Sequence, residues 1–154
     1  MNISTSFKGK SIHTINGSGR ISIPSRFREA LKSKYGDEEL ILVPLGSHIV
    51  AYPIQEWIKL EKIWELNPPK DTNGKKFLRY LYSTAEEVLI DKLGRILIPP
   101  LLRQSINLQD ECVVTGQMNK IELWPKEKWE DEYKEINVRG IFETVSSQFP
   151  ELNL

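Results

Sequence analysis

Apolar positions follow two rhythms along this chain. Runs of adjacent or alternating apolar residues, such as Ile21 and Ile23, Ile41-Leu42-Val43, Val88-Leu89-Ile90, Ile96-Leu97-Ile98 and Val113-Val114, predict β-strands. The continuous runs at 88–90 and 96–98 predict strands covered on both faces. Trp57, Leu60 and Trp64 recur at spacings of three and four and predict a helix with an aromatic core stripe, and Trp129, Tyr133 and Ile136 predict another. Prolines mark where one rhythm gives way to the other. Proline cannot extend a paired central strand but suits the first turn of a helix, so Pro24 and Pro99 end strands and open helices over 25–31 and 100–106. Pro53 and Pro125 open the two aromatic helices. Residues 41–43 with 49–52, and 113–115 with 121–124, flank polar, Gly-containing or Asn-containing loops and predict hairpins. Further helices are predicted over 72–85 and 139–149.

These elements occur twice. Residues 15–31 laid over 90–106, a shift of 75, pair Ile15 with Ile90, Gly19 with Gly94, Arg20 with Arg95, Ile21 with Ile96, Ile23 with Ile98, Pro24 with Pro99 and Arg28 with Arg103. Seven identities in seventeen positions compare with about one from average residue usage, so the chain contains an internal repeat. The match resumes with a shift of 72, pairing Glu39 with Glu111, Tyr52-Pro53 with Trp124-Pro125 and Trp57 with Trp129. The three extra residues of the first copy are expected in a longer loop over 32–38. The division is a first repeat at 5–66, a connecting helix and linker at 67–79, a second repeat at 80–137 and a C-terminal helix or tail at 138–154. The fold class is α+β. Each half-unit is too small to close a core of its own, which predicts that the two interleave strands into one barrel-like body with pseudo-twofold symmetry and flanking helices.

Composition adds less. The 154 residues, 40% hydrophobic, suffice for a real core, and 21 basic against 21 acidic residues give no argument from net charge. The distribution is more useful: residues 1–36 carry seven cations (Lys8, Lys10, Arg20, Arg26, Arg28, Lys32, Lys34) against one anion, Glu29. Asp37-Glu38-Glu39 and Glu130-Asp131-Glu132 supply balancing acid, so one end of the molecule is expected to be basic. No apolar run approaches the roughly 20 residues of a membrane span and the first six residues lack a signal pattern, so a cytoplasmic protein without a membrane partner is expected. Cys112, within an apolar run, is read as a buried hydrophobe. His13 and His48 have no partner at metal-ligand spacing, and phosphate-loop and nucleophile-elbow patterns are absent from the sequence. Neither an enzyme, a metal site nor a cofactor is expected.

The two turns carry a resemblance. Asp91-Lys92-Leu93-Gly94-Arg95-Ile96-Leu97-Ile98-Pro99-Pro100-Leu101-Leu102-Arg103, preceded by Tyr82-Ser83-Thr84-Ala85-Glu86-Glu87-Val88, resembles the MraZ family, whose members carry two copies of Asp-x-x-x-Arg in a strand-turn-strand. Phe7-Lys8-Gly9, Gly19-Arg20-Ile21-Ser22-Ile23-Pro24 and Phe27-Arg28-Glu29-Ala30-Leu31 are similar to the first copy of that pattern. The first copy departs in two places: Asn16 stands where the family has Asp, and Ser18 where a Lys commonly precedes Gly-Arg. Asn still accepts hydrogen bonds from a turn backbone, so the turn should survive, whereas the missing Lys removes a cation that Lys92, Lys8 and Lys10 could replace. The resemblance implies tandem AbrB-like (SpoVT-AbrB) swapped-hairpin units and a ring-shaped homo-oligomer. It also implies binding of double-stranded DNA at direct repeats upstream of the division and cell-wall gene cluster, usually as a nucleoid-associated repressor.

On that reading Arg20 and Arg95, held by Asn16 and Asp91, are the first candidates for DNA contact, because a guanidinium can bridge phosphate oxygens or pair bidentately with guanine. An internal pair, Arg95 with Asp91, is the competing role. Arg26, Arg28 and Arg103, on the helices behind the turns, are second candidates, for phosphates or for a helix-face pair with Glu29. A protein-interaction module of antitoxin type is the alternative function. Its usual disordered partner-binding tail contrasts with the short segment 137–154, where Ile141, Phe142 and Val145 at helical spacing predict packing onto a neighbour or the body.

Overall fold

The computed structural model describes residues 6–36, 38–134 and 138–153. In chain order the first copy contributes β1 (Lys10–Thr14), β2 (Arg20–Ser22), α1 (Ser25–Tyr35), β3 (Glu39–Pro44), β4 (Ile49–Pro53) and α2 (Ile54–Leu66). Helix α3 (Thr72–Thr84) leads to β5 (Glu86–Leu89), β6 (Arg95–Leu97), α4 (Pro100–Ser105), β7 (Glu111–Gln117), β8 (Lys120–Pro125) and α5 (Lys126–Tyr133), and α6 (Val138–Gln148) follows. Pro24, Pro53, Pro99 and Pro125 all sit at helix N-caps, as their rigid φ and missing N–H favour.

Strands cross between copies. A six-stranded antiparallel sheet runs β1-β7-β8-β4-β3-β5, and β2 pairs with β6 in a separate two-stranded ribbon. Thus β1 of the first copy lies on β7 of the second, while β5 of the second lies on β3 of the first. The registers are reciprocal: Thr14 faces Glu111 in one pairing, and their repeat equivalents Leu89 and Glu39 face each other in the other. Where a strand meets its own equivalent the pairing centres on matched residues, Val50 with Glu122 in β4–β8 and Ile21 with Ile96 in β2–β6.

Strand alternation divides the interior in two. Leu40, Leu42, Ile49 and Ala51 point into the main core, which also holds Ile21, Ile23, Ile96 and Ile98 from the ribbon and Phe27 and Leu31 from α1. Ile41, Val43 and Val50 point the other way, into a second cluster with Trp57 of α2 and Leu81 of α3. Both faces of β3 are therefore buried, which explains its continuous apolar run. Trp57 touches Trp64 and Tyr82 within the second cluster, so the first aromatic stripe is core. Trp129 and Tyr133 instead pack on Trp124 from the surface, with no residue of α5 buried and Tyr133 41% exposed; Ile136 lies outside the described residues. Cys112 is fully buried, and burial pushes its thiol up to about 12.

Three expectations need correction. The runs at 88–90 and 96–98 are not covered on both faces, since Leu89 is 71% and Leu97 41% exposed. β5 is a sheet edge and β6 half of a ribbon laid on the core by one face, so alternate residues point outward. The extra residues of the first copy do not lengthen a loop but extend a helix: α1 has 11 residues and α4 has 6. Lys32, Ser33 and Lys34 continue the helix until Gly36 closes it in the left-handed conformation, at φ 79°, accepting no side-chain strain. The third is corrected in part: Ile141 and Phe142 of α6 are exposed and do not pack into the body, which contradicts one of the two expected docking places and not the other, a neighbour.

Candidate nucleic-acid interface

The two turns are built alike. In the first, the N–H of Asn16 donates to the carbonyl of Arg20 (3.1 Å) and the N–H of Gly19 to that of Asn16 (2.9 Å). Asp91, Arg95 and Gly94 repeat this at 2.8 and 3.0 Å. One side-chain oxygen then collects two more N–H groups, Asn16 Oδ1 from Ser18 and Arg20, and Asp91 Oδ1 from Leu93 and Arg95. An amide oxygen accepts the same two bonds as a carboxylate oxygen, so the turn survives the change to Asn as expected. The Arg95 N–H, with Leu93 N–H and the Arg95 charge, holds the Asp91 carboxyl below the usual aspartate range.

Each turn is backed by the other copy. Gly19 and Gly94 have φ of 88° and 78°, and a Cβ on either would stand 2.7 Å from a guanidinium carbon, that of Arg103 at Gly19 and that of Arg28 at Gly94. Arg103 Nε donates to the Ile98 carbonyl (2.9 Å) and Arg28 Nε to that of Ile23 (3.1 Å). Backbone bonds tie the same places, from Ile98 N–H to Gly19 and from Ile23 N–H to Gly94. Arg28 and Arg103 thus brace turns rather than lying along a free helix face or pairing with Glu29. Their recurrence beside recurring glycines was the sequence signal for this role. Arg26 occupies a third such position, against Gly9, and donates to the Lys10 carbonyl at 3.2 Å.

Arg20 and Arg95 stand on the outward face of the ribbon. Arg20 is opposite Leu97 and Arg95 opposite Ser22, which makes the two arginines diagonal cross-strand neighbours, close enough for long side chains to meet one ligand. Ile21 and Ile96 between them point into the core. Each guanidinium also bonds to its own turn. Arg95 Nε reaches Asp91 Oδ2 at 3.3 Å, so the internal pair exists. Arg20 uses Ser18 instead: its Nη1 donates to Ser18 Oγ (2.9 Å), which donates to Asn16 Oδ1 (2.7 Å). The two departures of the first copy are therefore coupled, with the serine hydroxyl bridging the gap to a neutral side chain. They also conserve charge, because 16–20 carries Arg20 alone while 91–95 carries Lys92 and Arg95 against Asp91. One bond per guanidinium among the described residues leaves most of its five N–H donors for a ligand.

Lys92 is exposed at the second turn. Lys8 and Lys10 are elsewhere: six residues of extended chain separate Lys10 from Asn16, about 20 Å. The Lys10 ammonium lies over the Trp129 ring at 5.4 Å, and Lys8 Nζ donates to Ser6 Oγ. They cannot replace a cation at the turn. Of the histidines, His13 bonds Ser11 Oγ and is lowered by burial, and His48 stacks on Trp124 beside Glu122. Among the described residues no group of three or more His, Cys, Asp or Glu could hold a metal, and no helix is long and apolar enough to cross a membrane.

The architecture defines a class, a duplicated α+β unit whose copies share one antiparallel sheet and build a paired-arginine ribbon between them. Comparison with known proteins agrees with the duplication. The family model described as "MraZ protein, putative antitoxin-like" matches twice, over residues 6–75 and 81–149. A "Transcriptional regulator MraZ" of Syntrophobacter fumaroxidans is 38% identical over 128 residues, covering 83% of this chain and 85% of that protein. Another of the same name, from Pediococcus pentosaceus, is 35% identical over 129 residues, covering 84% and 87%. The chain belongs to the MraZ family.

Proposed function

We propose that the protein is a sequence-specific DNA-binding transcriptional regulator that reads duplex DNA with the β2–β6 ribbon. The observation that carries this is the placement of Arg20 and Arg95 as neighbours on the outward face of a two-stranded ribbon, an element of the size the major groove admits. The braces from Arg28 and Arg103 fix the turns before binding, so ordering them costs little on contact. Arg20 and Arg95 contact bases or phosphates, Lys92 adds a phosphate contact at the second turn, and Asn16, Ser18 and Asp91 orient the arginines. Arg28 and Arg103 act mainly behind the turns, and Arg26, set against Gly9 and Lys10, acts away from them. No catalysis or cofactor is involved.

The strand exchange and reciprocal registers support an AbrB-like swapped-hairpin, pseudo-twofold arrangement, with repeats at 5–66 and 80–137, a linker at 67–79 and a tail at 138–154. One ribbon offers few cations and each phosphate contact adds modest affinity, so several ribbons on a ring-shaped homo-oligomer are needed for specific binding. The relatives' shared name supports a regulator of transcription, and on this reading it is a cytoplasmic, nucleoid-associated repressor of the division and cell-wall gene cluster, acting through direct repeats upstream of its own gene. A second reading, an interaction module of antitoxin type, draws support from the exposed Ile141 and Phe142 of α6. Co-purification of a second polypeptide distinguishes it.

The test is fluorescence anisotropy on the DNA upstream of its own gene against scrambled DNA, for the wild type and Arg20→Ala/Arg95→Ala. Preference by the wild type, with most affinity lost in the folded variant, supports the reading. Equal binding by both proteins, or none, overturns it.

A further inference from the structure

The two copies place different chemistry at equivalent exposed positions. Under the 75-residue shift Thr14, Ser18, Ser22 and Arg26 of the first copy correspond to Leu89, Leu93, Leu97 and Leu101 of the second, and all eight are exposed. Two of these pairs flank the arginines. Leu97 lies directly opposite Arg20 and Ser22 directly opposite Arg95, while Leu93 and Ser18 occupy the two turns.

We infer, on the DNA-reading role proposed above, that Leu93 and Leu97 are specificity-determining residues that pack against thymine methyl groups. Ser22, beside Arg95 at the second-turn end of the ribbon, meets a base by hydrogen bonding, while Ser18 keeps its hydroxyl on Asn16 and Arg20 at the first turn. Thymine C5 carries the one methyl group that the four bases display in the major groove, so an exposed leucine beside a DNA-facing arginine is favoured where a thymine meets it. The charge on this face selects the occupant. A protein surface laid over the ribbon would bury two guanidinium groups, whereas DNA supplies their counter-charge. Because the polar and apolar turns lie at opposite ends of a ribbon with reciprocal backbone pairing, one chain reads a site whose two halves differ.

The experiment uses the full chain and a duplex recovered from a random pool by binding to the wild type, compared with the same duplex carrying deoxyuridine for thymine. That exchange removes methyl groups alone. Wild-type affinity is expected to fall about threefold to fivefold per contacted thymine at unchanged salt dependence. Leu93→Ser/Leu97→Ser installs residues that the first copy already carries on the same backbone, so folding, checked by thermal unfolding, is expected to persist while the thymine-uracil difference disappears. Equal affinity of the wild type for both duplexes overturns the inference and leaves the DNA-reading role standing. Absence of salt-sensitive preference for any recovered duplex overturns both. A changed oligomer mass in the double variant, with the thymine-uracil difference intact, assigns the leucines to contacts between copies and also overturns it.

Discussion

The guanidinium of Arg103 fills the space that a side chain on Gly19 would need. Because Arg103 belongs to the second copy and Gly19 to the first, the contact ties a turn in one repeat to a helix in the other. Gly19→Ala imposes a left-handed alanine, costing about 1–2 kcal/mol, and displaces the brace. A total loss of about 2–3 kcal/mol is expected in urea unfolding. Gly19→Ala/Arg103→Ala should lose less than the sum of the single variants, because the steric conflict is removed with its cause. Additive losses would mean the two do not interact.

Strand exchange makes each copy dependent on the other. Fragments 6–71 and 72–153, cut in the turn between α2 and α3, should each be largely unfolded by circular dichroism, since β1 and β5 lose their partners. Mixed, they should regain the spectrum of the whole chain. A fragment that folds alone contradicts the shared-sheet architecture.

The Glu56 carboxylate is another tie between copies. It is 6% exposed and accepts from Tyr35 Oη (2.9 Å), Lys59 Nζ (3.1 Å) and Asn119 Nδ2 (3.0 Å), the last between β7 and β8 of the second copy. Burial alone pushes its pKa up, but the bonds from Lys59, Tyr35 and Asn119 outweigh it and hold the carboxyl below the usual glutamate range. A depressed carboxylate pKa stabilises above the unfolded value, and that contribution is lost as pH falls through the folded one. Glu56→Ala, which leaves Tyr35 and Asn119 unmatched, should cost about 2–3 kcal/mol near neutrality. The penalty should shrink in urea titrations below the ordinary glutamate range.

Asp91 and Asn16 should separate the turns by pH. Asp91 is held charged by backbone N–H groups and Arg95, so its contribution is present above the ordinary aspartate range and fades as pH falls through its lowered folded value. Asn16 does not titrate. Asp91→Asn should therefore lower the urea midpoint at neutral pH and not in strong acid, whereas Asn16→Ala should lower it at both.

The buried Cys112 thiol, pushed up to about 12, should resist a thiol-disulfide reagent at pH 8 in the native protein and react at once in denaturant. Rapid labelling of folded protein would place it at the surface.

Much of this was legible in the residues. Recurrence of Gly19-Arg20 and Gly94-Arg95 located the turns, the prolines located the helix starts, and the small size of each half predicted shared strands. Other features depended on tertiary context. Apolar runs show that Leu89 and Leu97 are hydrophobic, not which sheet edge or ribbon face they occupy. Ser18 looked like a lost cation because its role exists only with Asn16 and Arg20 folded around it. Arg28 and Arg103 look like solvent-facing cations in sequence because the glycines they cover, Gly94 and Gly19, are 66 and 84 residues away in the other repeat, a distance that local pattern cannot bridge. Lys8 and Lys10 looked close to the turn in sequence, yet an extended strand carries them away from it.

The claim at the centre is that the outward face of the β2–β6 ribbon touches DNA. Site-specific photo-crosslinking tests it directly, with a benzophenone amino acid in place of Ser22, opposite Arg95, and a control in place of Lys62, exposed on α2 across the sheet. Crosslinks to DNA are expected from position 22 and not from position 62. Crosslinking from position 62 with none from position 22 would contradict the account and move the interface to the helical side.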